Sequence, residues 1–408
     1  MNKKIMDIDS VEVWDGNMAA AQALRQADVD VVAAYPITPS TPTVENYAGF
    51  EANGYVDGEF VMVESEHAAM SACVGAAAAG GRVATATSAQ GFALMVEVLY
   101  QASGMRLPIT LVQVNRALAA PLNVNGDHSD MYLGRDCGWI NTCAFSPQEA
   151  YDLTLCSFKI GEHLDVRLPV IVNQDGFMTS HTAQNVVTID DVTACNFVGP
   201  YKQVNAMLDF SKPVTHGVQT EENWHFEHKA RQHAALMGST KVIDEVFAEF
   251  EKLTGRKYKR LETYKMEDAE VAIVALGTTY ESAQIAADKM RAEGIKAGVF
   301  APRVLRPFPL EEMAAVLQNV KAIACMDRSA PGGSVGALYN EVSGALFNTP
   351  ARPVLSNIIY GLGGRDMTIA MLCEIYRELD KDAKSGKRNG ALQRFVGVRG
   401  PELSFYNK

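Results

Sequence analysis

Three charged side chains stand where this chain passes from apolar residues into polar ones. Glu64 and Glu66 open an alanine-rich stretch, and Arg116 follows the apolar run 109–114. A carboxylate at the start of a helix is favoured by the helix dipole, and small apolar neighbours withdraw it partly from water. An arginine can hold a carboxylate or phosphate through two parallel hydrogen bonds. The residues therefore offer acid–base chemistry at Glu66 and anion binding at Arg116. Simple N-terminal charge placement and a surface salt bridge are the plain alternatives.

A proline-rich turn over residues 33–42 stands at the centre of the first half of the chain. Its three prolines fix φ and bias the residue before each of them away from helix. The turn follows the apolar run 29–32, so Thr38, Ser40 and Thr41 are expected at the carboxyl end of a strand. Open α/β sheets bind ligands at that edge. The alternative is an ordinary connection in which Ser40 or Thr41 caps the next helix.

The pattern of strand, polar turn and helix recurs along the chain. Strands are predicted over 29–34, 59–64, from 83, over 109–114 and over 170–173, and such alternation predicts a parallel, doubly wound α/β sheet. The pattern is lost over 195–260, where one long helix is expected at 238–253. It returns from 269 to 366. We expect a first domain over 1–240, a second α/β domain over 262–384, and a C-terminal arm over 385–408 that lies over a neighbour.

Three further local features give expectations that the structure can check. Asn17 is predicted to cap the first helix. The segment 303–309, with two prolines, is expected to form a turn resembling the first one. The polar loop 126–130 contains His128, which is either a proton-transfer group or a loop histidine, and we favour the loop histidine.

Charge and hydropathy exclude two classes of partner. The net charge of −11 leaves no basic stripe for nucleic acid. No apolar run approaches the roughly 18 residues of a membrane span. The N-terminus shows no signal-peptide pattern, so a cytoplasmic protein is expected.

The cysteines do not form a metal-binding pattern. The seven thiols lie at positions 73, 137, 143, 156, 195, 325 and 373, and none forms a Cys-x-x-Cys pair. Zinc and iron–sulfur sites need such clusters, so this chain by itself is expected to hold no metal. Most of the thiols are expected to be buried as small apolar residues.

Several motifs, taken together in order and spacing, resemble one enzyme family. They are YPITPS (35–40), ESEHA (64–68), ATSAQG (86–91), NRA (115–117) and GDHSD (126–130), supported by DGFMTSH (175–181) and the block 269–366. This set resembles the α subunit of 2-oxoacid:ferredoxin oxidoreductases, of which pyruvate:ferredoxin oxidoreductase is the best-known member. The resemblance implies a pyrimidine-type thiamine diphosphate-binding domain followed by a domain like the C-terminal domain of transketolases. It also implies oxidative decarboxylation of a 2-oxo acid to an acyl-CoA, with coenzyme A as co-substrate.

The resemblance also implies roles for individual residues. The residue matching Glu66 hydrogen-bonds the ring nitrogen of the aminopyrimidine and so promotes formation of the carbanion nucleophile. Pro36 and Ile37 are placed with it against the cofactor. Thr38 and Arg116 match residues that hold the carboxylate and carbonyl of the substrate, and with Glu66 they form the expected catalytic set.

What the chain lacks implies partner subunits. Thiamine diphosphate enzymes hold the diphosphate through Mg²⁺ bound by a Gly-Asp-Gly segment, and the single Gly-Asp here, Gly126-Asp127, leads into His128. A β subunit is therefore expected to supply the diphosphate and Mg²⁺ site. The [4Fe-4S] clusters are expected on γ- and δ-type subunits, and ferredoxin or another carrier would accept the electrons.

The identity of the 2-oxo acid depends on one position. Pyruvate-type relatives tend to carry Trp or Phe where this chain has Asn125, and the smaller residue would leave room for a larger acid, including an aryl acid such as phenylglyoxylate. Two other interpretations stay open. One is a thiamine-dependent decarboxylase or dehydrogenase component without clusters, and the other is a non-catalytic scaffold in which Glu66 only stabilises a helix terminus.

Overall fold

The computed structural model describes residues 4–6 and 8–399 of the 408-residue chain. Its strands are β1 Val11–Trp14, β2 Val31–Ala34, β3 Glu59–Met62, β4 Val83–Thr87, β5 Ile109–Asn115, β6 Ile140–Ala144, β7 Val170–Asp175, β8 Gln184–Val187, β9 Leu261–Tyr264, β10 Val271–Val274, β11 Ala297–Pro302, β12 Val304–Arg306, β13 Ala322–Asp327, β14 Val354–Ile359 and β15 Gln393–Phe395. Its helices are α1 Gly16–Gln26, α2 Thr41–Ala52, α3 Glu66–Ala79, α4 Ala89–Gly104, α5 Ser129–Leu133, α6 Pro147–Glu162, α7 Asp191–Val198, α8 Glu222–Thr254, α9 Thr278–Ala292, α10 Leu310–Val316, α11 Ala337–Phe347 and α12 Ile369–Ser385.

A larger sheet carries the first half of the chain. Among the described residues its strand order is β12-β6-β7-β5-β4-β2-β3, and all neighbours are parallel except β12, which runs antiparallel to β6. Helices α3 and α4 cover one face, where Phe92 and Met95 are buried. Helices α1 and α6 pack together over the other face. The residues of β5 and β7 are buried throughout, as expected for strands covered on both faces. The predicted doubly wound α/β fold is confirmed.

A smaller sheet carries the second half. Its order within the described chain is β15-β14-β13-β10-β11-β9, parallel except for the antiparallel edge strand β9. Strand β15 comes from the segment expected to form a C-terminal arm, and it pairs with β14. Residues 400–408 of that arm lie outside the described residues. The boundaries at 240, 262 and 384 stay a prediction.

Two elements that join the halves were not expected. Strand β6 was missed because Asn141 and Thr142 interrupt its apolar residues. The sequence predicts a turn over 303–309, whereas Val304–Arg306 form β12 and pair with β6. Arg303, just before β12, is buried and bonds Glu149 through both terminal nitrogens, at 2.7 and 2.9 Å. A strand from the second half thus completes the sheet of the first.

The long helix begins earlier than expected. The sequence predicted a helix over 238–253, whereas α8 runs from Glu222 to Thr254. Its first turns are almost entirely exposed, with Trp224 and Phe226 at the surface among polar residues, so they carry no buried apolar stripe to mark them. No helix found among the described residues has both the length and the apolar character needed to cross a membrane. Six of the seven cysteines are buried, and Cys195 is exposed.

Candidate active site

The predicted site residues gather at the carboxyl edge of the larger sheet. The chain runs from β2 outward to β3 and then crosses back to β4 on the other side of β2. This reversal opens a crevice outside the carboxyl ends of β2 and β4, the position where doubly wound sheets bind ligands. The proline turn follows β2, and Arg116 follows β5, the neighbour of β4.

Glu66 is the first residue of α3, and its carboxylate has no partner. Ser65 caps the helix by accepting a hydrogen bond from the N–H of Ala68 at 3.2 Å, so Glu66 is not needed for that purpose. Glu66 as a residue is 7% exposed, and its side chain makes no hydrogen bond or ion pair with any residue of the described chain. A carboxylate that belongs to a mostly buried residue and has no protein partner is available to bind a ligand.

The space beside Glu66 depends on a glycine. A Cβ at Gly91 would lie 2.5 Å from Oε1 of Glu66 and 2.6 Å from Oγ1 of Thr87. Oγ1 of Thr87, Oγ of Ser88 and Oε1 of Gln90 are buried and likewise unpartnered within the described part of the chain. The carboxylate therefore lies at a polar recess between α3 and the start of α4.

Arg116 is held by backbone carbonyls on two sides. Its Nη1 donates to the carbonyl oxygen of Thr38 at 2.9 Å and its Nε to that of Asn123 at 3.1 Å. The residue is 7% exposed, and burial lowers the pKa of Arg116 while Asp130 opposes that change. Nη2 makes no hydrogen bond with the residues described here. The guanidinium is thus fixed with one nitrogen left to bind an anion.

The proline turn presents its side chains outward. Thr38 and Pro36 are exposed and Ile37 is partly exposed. The hydroxyl of Thr38 has no hydrogen-bond partner in the described chain, and its carbonyl is the group that Arg116 binds. Ser40 precedes α2, but its hydroxyl donates back to the carbonyl of Ile37 at 2.9 Å instead of capping the helix.

Asn17 has a different role from the predicted one. Asp15 is the cap of α1, accepting from the N–H of Met18 at 2.8 Å. Asn17 is fully buried, donates to the carbonyl of Pro39 at 3.0 Å and accepts from Oγ1 of Thr43 at 2.8 Å. The cap prediction was wrong because an aspartate two residues earlier competes for the same position, and Asn17 instead anchors the proline turn.

Asn125 lies on a loop that contacts the second half of the chain. It is exposed, and its N–H donates to Oδ1 of Asn123 at 2.7 Å. Gly364, with φ of +82°, approaches so closely that a Cβ there would lie 2.5 Å from Cβ of Asn125. The loop that carries Asn125 is therefore positioned by the 361–364 segment.

His128 lies on the loop just before α5, as favoured from the sequence. It is buried, and its Nε2 lies 2.7 Å from Oδ1 of Asp175 at the end of β7. Oδ2 of Asp175 lies 3.2 Å from Nη1 of Arg328 and accepts from the N–H and hydroxyl of Thr278, which begins α9. Burial opposes the charge of Asp175, but Arg328 and His128 outweigh it and hold the pKa of Asp175 well below its usual range. This buried cluster joins the two halves of the chain.

Comparison with known families identifies the chain. Residues 22–248 match the family model described as pyruvate flavodoxin/ferredoxin oxidoreductase, thiamine diphosphate-binding, and residues 269–372 match pyruvate:ferredoxin oxidoreductase core domain II. The chain belongs to the 2-oxoacid:ferredoxin oxidoreductase family, as an α subunit. The family predicted from the motifs is confirmed, and with it the assignment as a subunit of a 2-oxoacid oxidoreductase.

Curated relatives match over nearly their full length. The chain is 46% identical to the pyruvate synthase subunit PorA of Thermotoga maritima, over 94% of this chain and 97% of the relative. It is 42% identical to the ketoisovalerate oxidoreductase subunit VorA of Pyrococcus horikoshii, again over 94% and 97%. Because both are named as subunits, this α subunit functions with other chains. The two names differ in substrate, so the family alone does not decide the 2-oxo acid.

Solved structures share the fold. The 2-oxoglutarate:ferredoxin oxidoreductase from Magnetococcus marinus superposes with a TM-score of 0.72 at 21% identity, covering 91% of this chain and 65% of that chain. A split-gene transketolase superposes with a TM-score of 0.52 at 14% identity, over 90% and 98%. Both likenesses agree with the predicted combination of thiamine diphosphate-type and transketolase-type domains.

Proposed function

We propose that this α subunit places Glu66 against the aminopyrimidine ring of thiamine diphosphate and Arg116 against the carboxylate of a 2-oxo acid. The enzyme would convert the 2-oxo acid and coenzyme A into acyl-CoA and CO2, releasing one proton and passing two electrons to an acceptor. The observation that carries the proposal is the unpartnered carboxylate of the mostly buried residue Glu66 at the recess made by Gly91. Arg116, with its free Nη2, follows the strand next to the one that leads into this recess.

The residues around Glu66 fit the pyrimidine end of the cofactor. A carboxylate with neighbouring hydroxyls can share a proton with a ring nitrogen and satisfy the polar atoms that are otherwise orphaned there. Thiamine diphosphate, when bound, supplies the carbanion that attacks the 2-oxo carbon. Glu66 would hold the proton at the ring nitrogen, and the exposed surfaces of Pro36 and Ile37 would contact the cofactor from the proline turn.

Arg116 and Thr38 would orient the substrate. Nη2 of Arg116 and the unpartnered hydroxyl of Thr38 are both available to bind the carboxylate and carbonyl of a 2-oxo acid. Since the arginine is fixed on two backbone carbonyls, little side-chain entropy would be lost on binding. Loss of CO2 removes the negative charge that Arg116 binds, so this contact would favour the substrate over the decarboxylated product.

Other subunits would supply the rest of the chemistry. The sequence lacks a Gly-Asp-Gly segment, and within the described residues no group of three or more His, Cys, Asp or Glu side chains could hold a metal ion. We therefore assign Mg²⁺ and the diphosphate site to a β subunit, and [4Fe-4S] clusters to γ- and δ-type subunits that pass electrons to ferredoxin or another carrier. The cytoplasmic location stays a prediction.

Glu66→Gln in the assembled complex tests the central role. The amide keeps the size of the side chain but cannot share a proton with the ring nitrogen as a carboxylate does, so turnover should fall by several orders of magnitude, as is usual for loss of a key acid–base group. Glu64→Gln is the matched control, because Glu64 lies two residues away and is exposed. It should leave turnover unchanged. Retained turnover in Glu66→Gln would instead support a non-catalytic scaffold.

The substrate proposal rests on Asn125. The small residue leaves room for an acyl group larger than acetyl, so branched-chain or aryl 2-oxo acids such as phenylglyoxylate should be turned over better than pyruvate. Steady-state assays with pyruvate, 2-ketoisovalerate, phenylglyoxylate and 2-oxoglutarate measure this directly. Asn125→Phe should lower turnover of the larger acids and spare pyruvate. Equal or better turnover of pyruvate by the natural protein would contradict the larger pocket.

A further inference from the structure

Asp130 collects hydrogen bonds from two of the turns that form the site. It lies in α5 and is fully buried. Its Oδ2 accepts from the backbone N–H of Ala89 at 2.8 Å and from that of Arg116 at 2.9 Å. Its Oδ1 accepts from Nδ2 of Asn115 at 3.2 Å and from the N–H of Met131 at 2.7 Å. A single oxygen therefore joins the turn after β4 to the turn after β5.

The bond to Ala89 fixes the surface on which Glu66 lies. Ala89 has a φ of +45°, a left-handed conformation that residues with a side chain rarely adopt. It is the first residue of α4, and Gly91, which makes room for Oε1 of Glu66, is the third. Because Asp130 holds the N–H of Ala89, it holds the start of the helix that borders the carboxylate.

The bond to Arg116 fixes the other half of the site. The guanidinium is bound by the carbonyls of Thr38 and Asn123, and the backbone from which it extends is bound by Asp130. The arginine is therefore fixed at both ends of its side chain. Loss of the Asp130 contact would leave only the guanidinium end restrained.

We propose that Asp130 is a positioning residue that fixes, through one carboxylate oxygen, both the turn bordering Glu66 and the backbone of Arg116. Cofactor binding and substrate binding then depend on the same buried group. This inference rests on the proposed function for the roles of Glu66 and Arg116, and it adds that the two roles are coupled through a residue that touches neither ligand.

The surroundings of Asp130 support a functional reason for its burial. It forms no ion pair with any residue of the described chain. Burial raises the pKa of Asp130 to about 7, Asp127 adds to the rise, and the N–H donors of Arg116, Ala89 and Asn115 oppose it. A carboxyl group kept in so unfavourable a place is a candidate for a functional role.

Asp130→Asn tests the coupling. The amide offers one acceptor oxygen and one NH2 group, so N–H donors on one side of the side chain would face another donor. In the folded, assembled complex, two constants should both rise, each about tenfold, the effect expected for losing one hydrogen bond. They are the Kd of thiamine diphosphate for cofactor-depleted protein and the KM for the 2-oxo acid. A rise in only one constant, or in neither, would overturn the proposal.

Asp152→Asn is the matched control for general loosening. Asp152 is also fully buried, but its carboxylate binds Arg256 and Tyr258, away from the site turns. This variant should lower Tm and leave the Kd and the KM unchanged. If it raised both constants as Asp130→Asn does, the effect would be nonspecific and the proposal would be wrong.

A milder variant keeps the test decisive if Asp130→Asn does not assemble. Asn115→Ala removes one donor from Oδ1 and leaves both backbone bonds to Oδ2, so both constants should rise together by a smaller factor, about threefold. No change, or a change in one constant alone, would overturn the proposal. Retained turnover in Glu66→Gln would contradict the proposed function itself. If Glu66→Gln is inactive but Asp130→Asn leaves both the Kd and the KM unchanged, only the coupling through Asp130 is refuted.

Discussion

Gly91 imposes a steric requirement on the site. Its missing side chain leaves room for Oε1 of Glu66 and Oγ1 of Thr87, each within about 2.6 Å of where a Cβ would lie. The glycine is helical, so a substitution meets a packing constraint and not a backbone one. The requirement is therefore specific to the recess beside Glu66.

Gly91→Ala should remove activity without unfolding the chain. The added methyl group would displace the Glu66 carboxylate, so turnover should fall at least about 100-fold, a typical cost of misplacing a catalytic group. Gly104→Ala, in the last turn of the same helix with no atom within 4 Å of the new Cβ, is the control. It should keep full turnover and, from helix propensity, gain up to about 1 kcal/mol in the free energy of unfolding. Equal turnover in both variants would contradict the role of the recess.

For individual residues, the sequence is informative where the proposed role depends on the chemistry of one side chain and its place after a strand. Glu66 and Arg116 could be proposed from the sequence because each follows a strand pattern and has an evident chemistry. Asp130 and Asp175 could not, because their roles depend on backbone N–H groups and charges from elements distant in the chain. The burial of His128 could not be foreseen for the same reason, since its partner Asp175 ends a strand distant in the sequence.

Among the elements, the junction between β7 and α9 joins the two sheets. The carboxylate of Asp175 accepts the N–H of Thr278 at the positive end of the α9 dipole. Gly277, with φ of +61°, permits this approach, because a Cβ there would lie 2.3 Å from Oδ2 of Asp175. Asp175 also contacts Arg328 and His128, so the same carboxylate forms an ion pair and binds the start of a helix.

Asp175→Asn should destabilise the protein by about 3–5 kcal/mol, because Arg328 would be left as a buried charge without its partner. Because the pKa of Asp175 is lowered in the folded protein, its ionised carboxylate adds to the free energy of unfolding at neutral pH. This contribution is fully present above the carboxyl pKa of the unfolded chain, about 4, and is lost as the pH falls through the folded pKa. Denaturant titrations at pH 7 and at pH 3 should therefore show a smaller loss of stability on acidification in Asp175→Asn than in the natural protein.

Asp136→Asn is the control for that experiment. Asp136 pairs with Arg306 at 3.1 Å, but its side chain is 63% exposed, so its removal should cost less than about 1 kcal/mol. A similarly small effect of Asp175→Asn would mean that the buried cluster does not hold the two sheets together.

The elements that the sequence missed share a physical cause. Strand β6 carries buried polar residues, with Oδ1 of Asn141 accepting from Asn173 at 2.5 Å, so the usual apolar run is absent. The first turns of α8 are exposed on most sides and lack a periodic apolar face. Strand β12 is three residues long, and the strand with which it pairs, β6, lies far away in the sequence. A periodic apolar pattern marks an element with one buried face, and β6, β12 and the first turns of α8 have no such pattern.

At the scale of the whole molecule, the fold and the family followed from sequence, and the way the halves interlock did not. Alternating strands and helices with polar strand ends determine a doubly wound sheet, and the order of the motifs determines the family. The contacts between the halves, at β12, Arg303, Asp175 and the 361–364 segment, join residues more than a hundred positions apart. Local patterns contain no information on such pairs.

The pairing of β12, from the second half of the chain, with β6 in the first sheet has a consequence for biosynthesis. While the ribosome is still making the segment after Ala144, the outer edge of β6 presents unpaired backbone groups, and it keeps doing so until Val304 has emerged and paired with it. A bare strand edge is a template for association with other nascent chains. The earlier half of this polypeptide therefore spends much of its translation with an open flank that only its own later half can close.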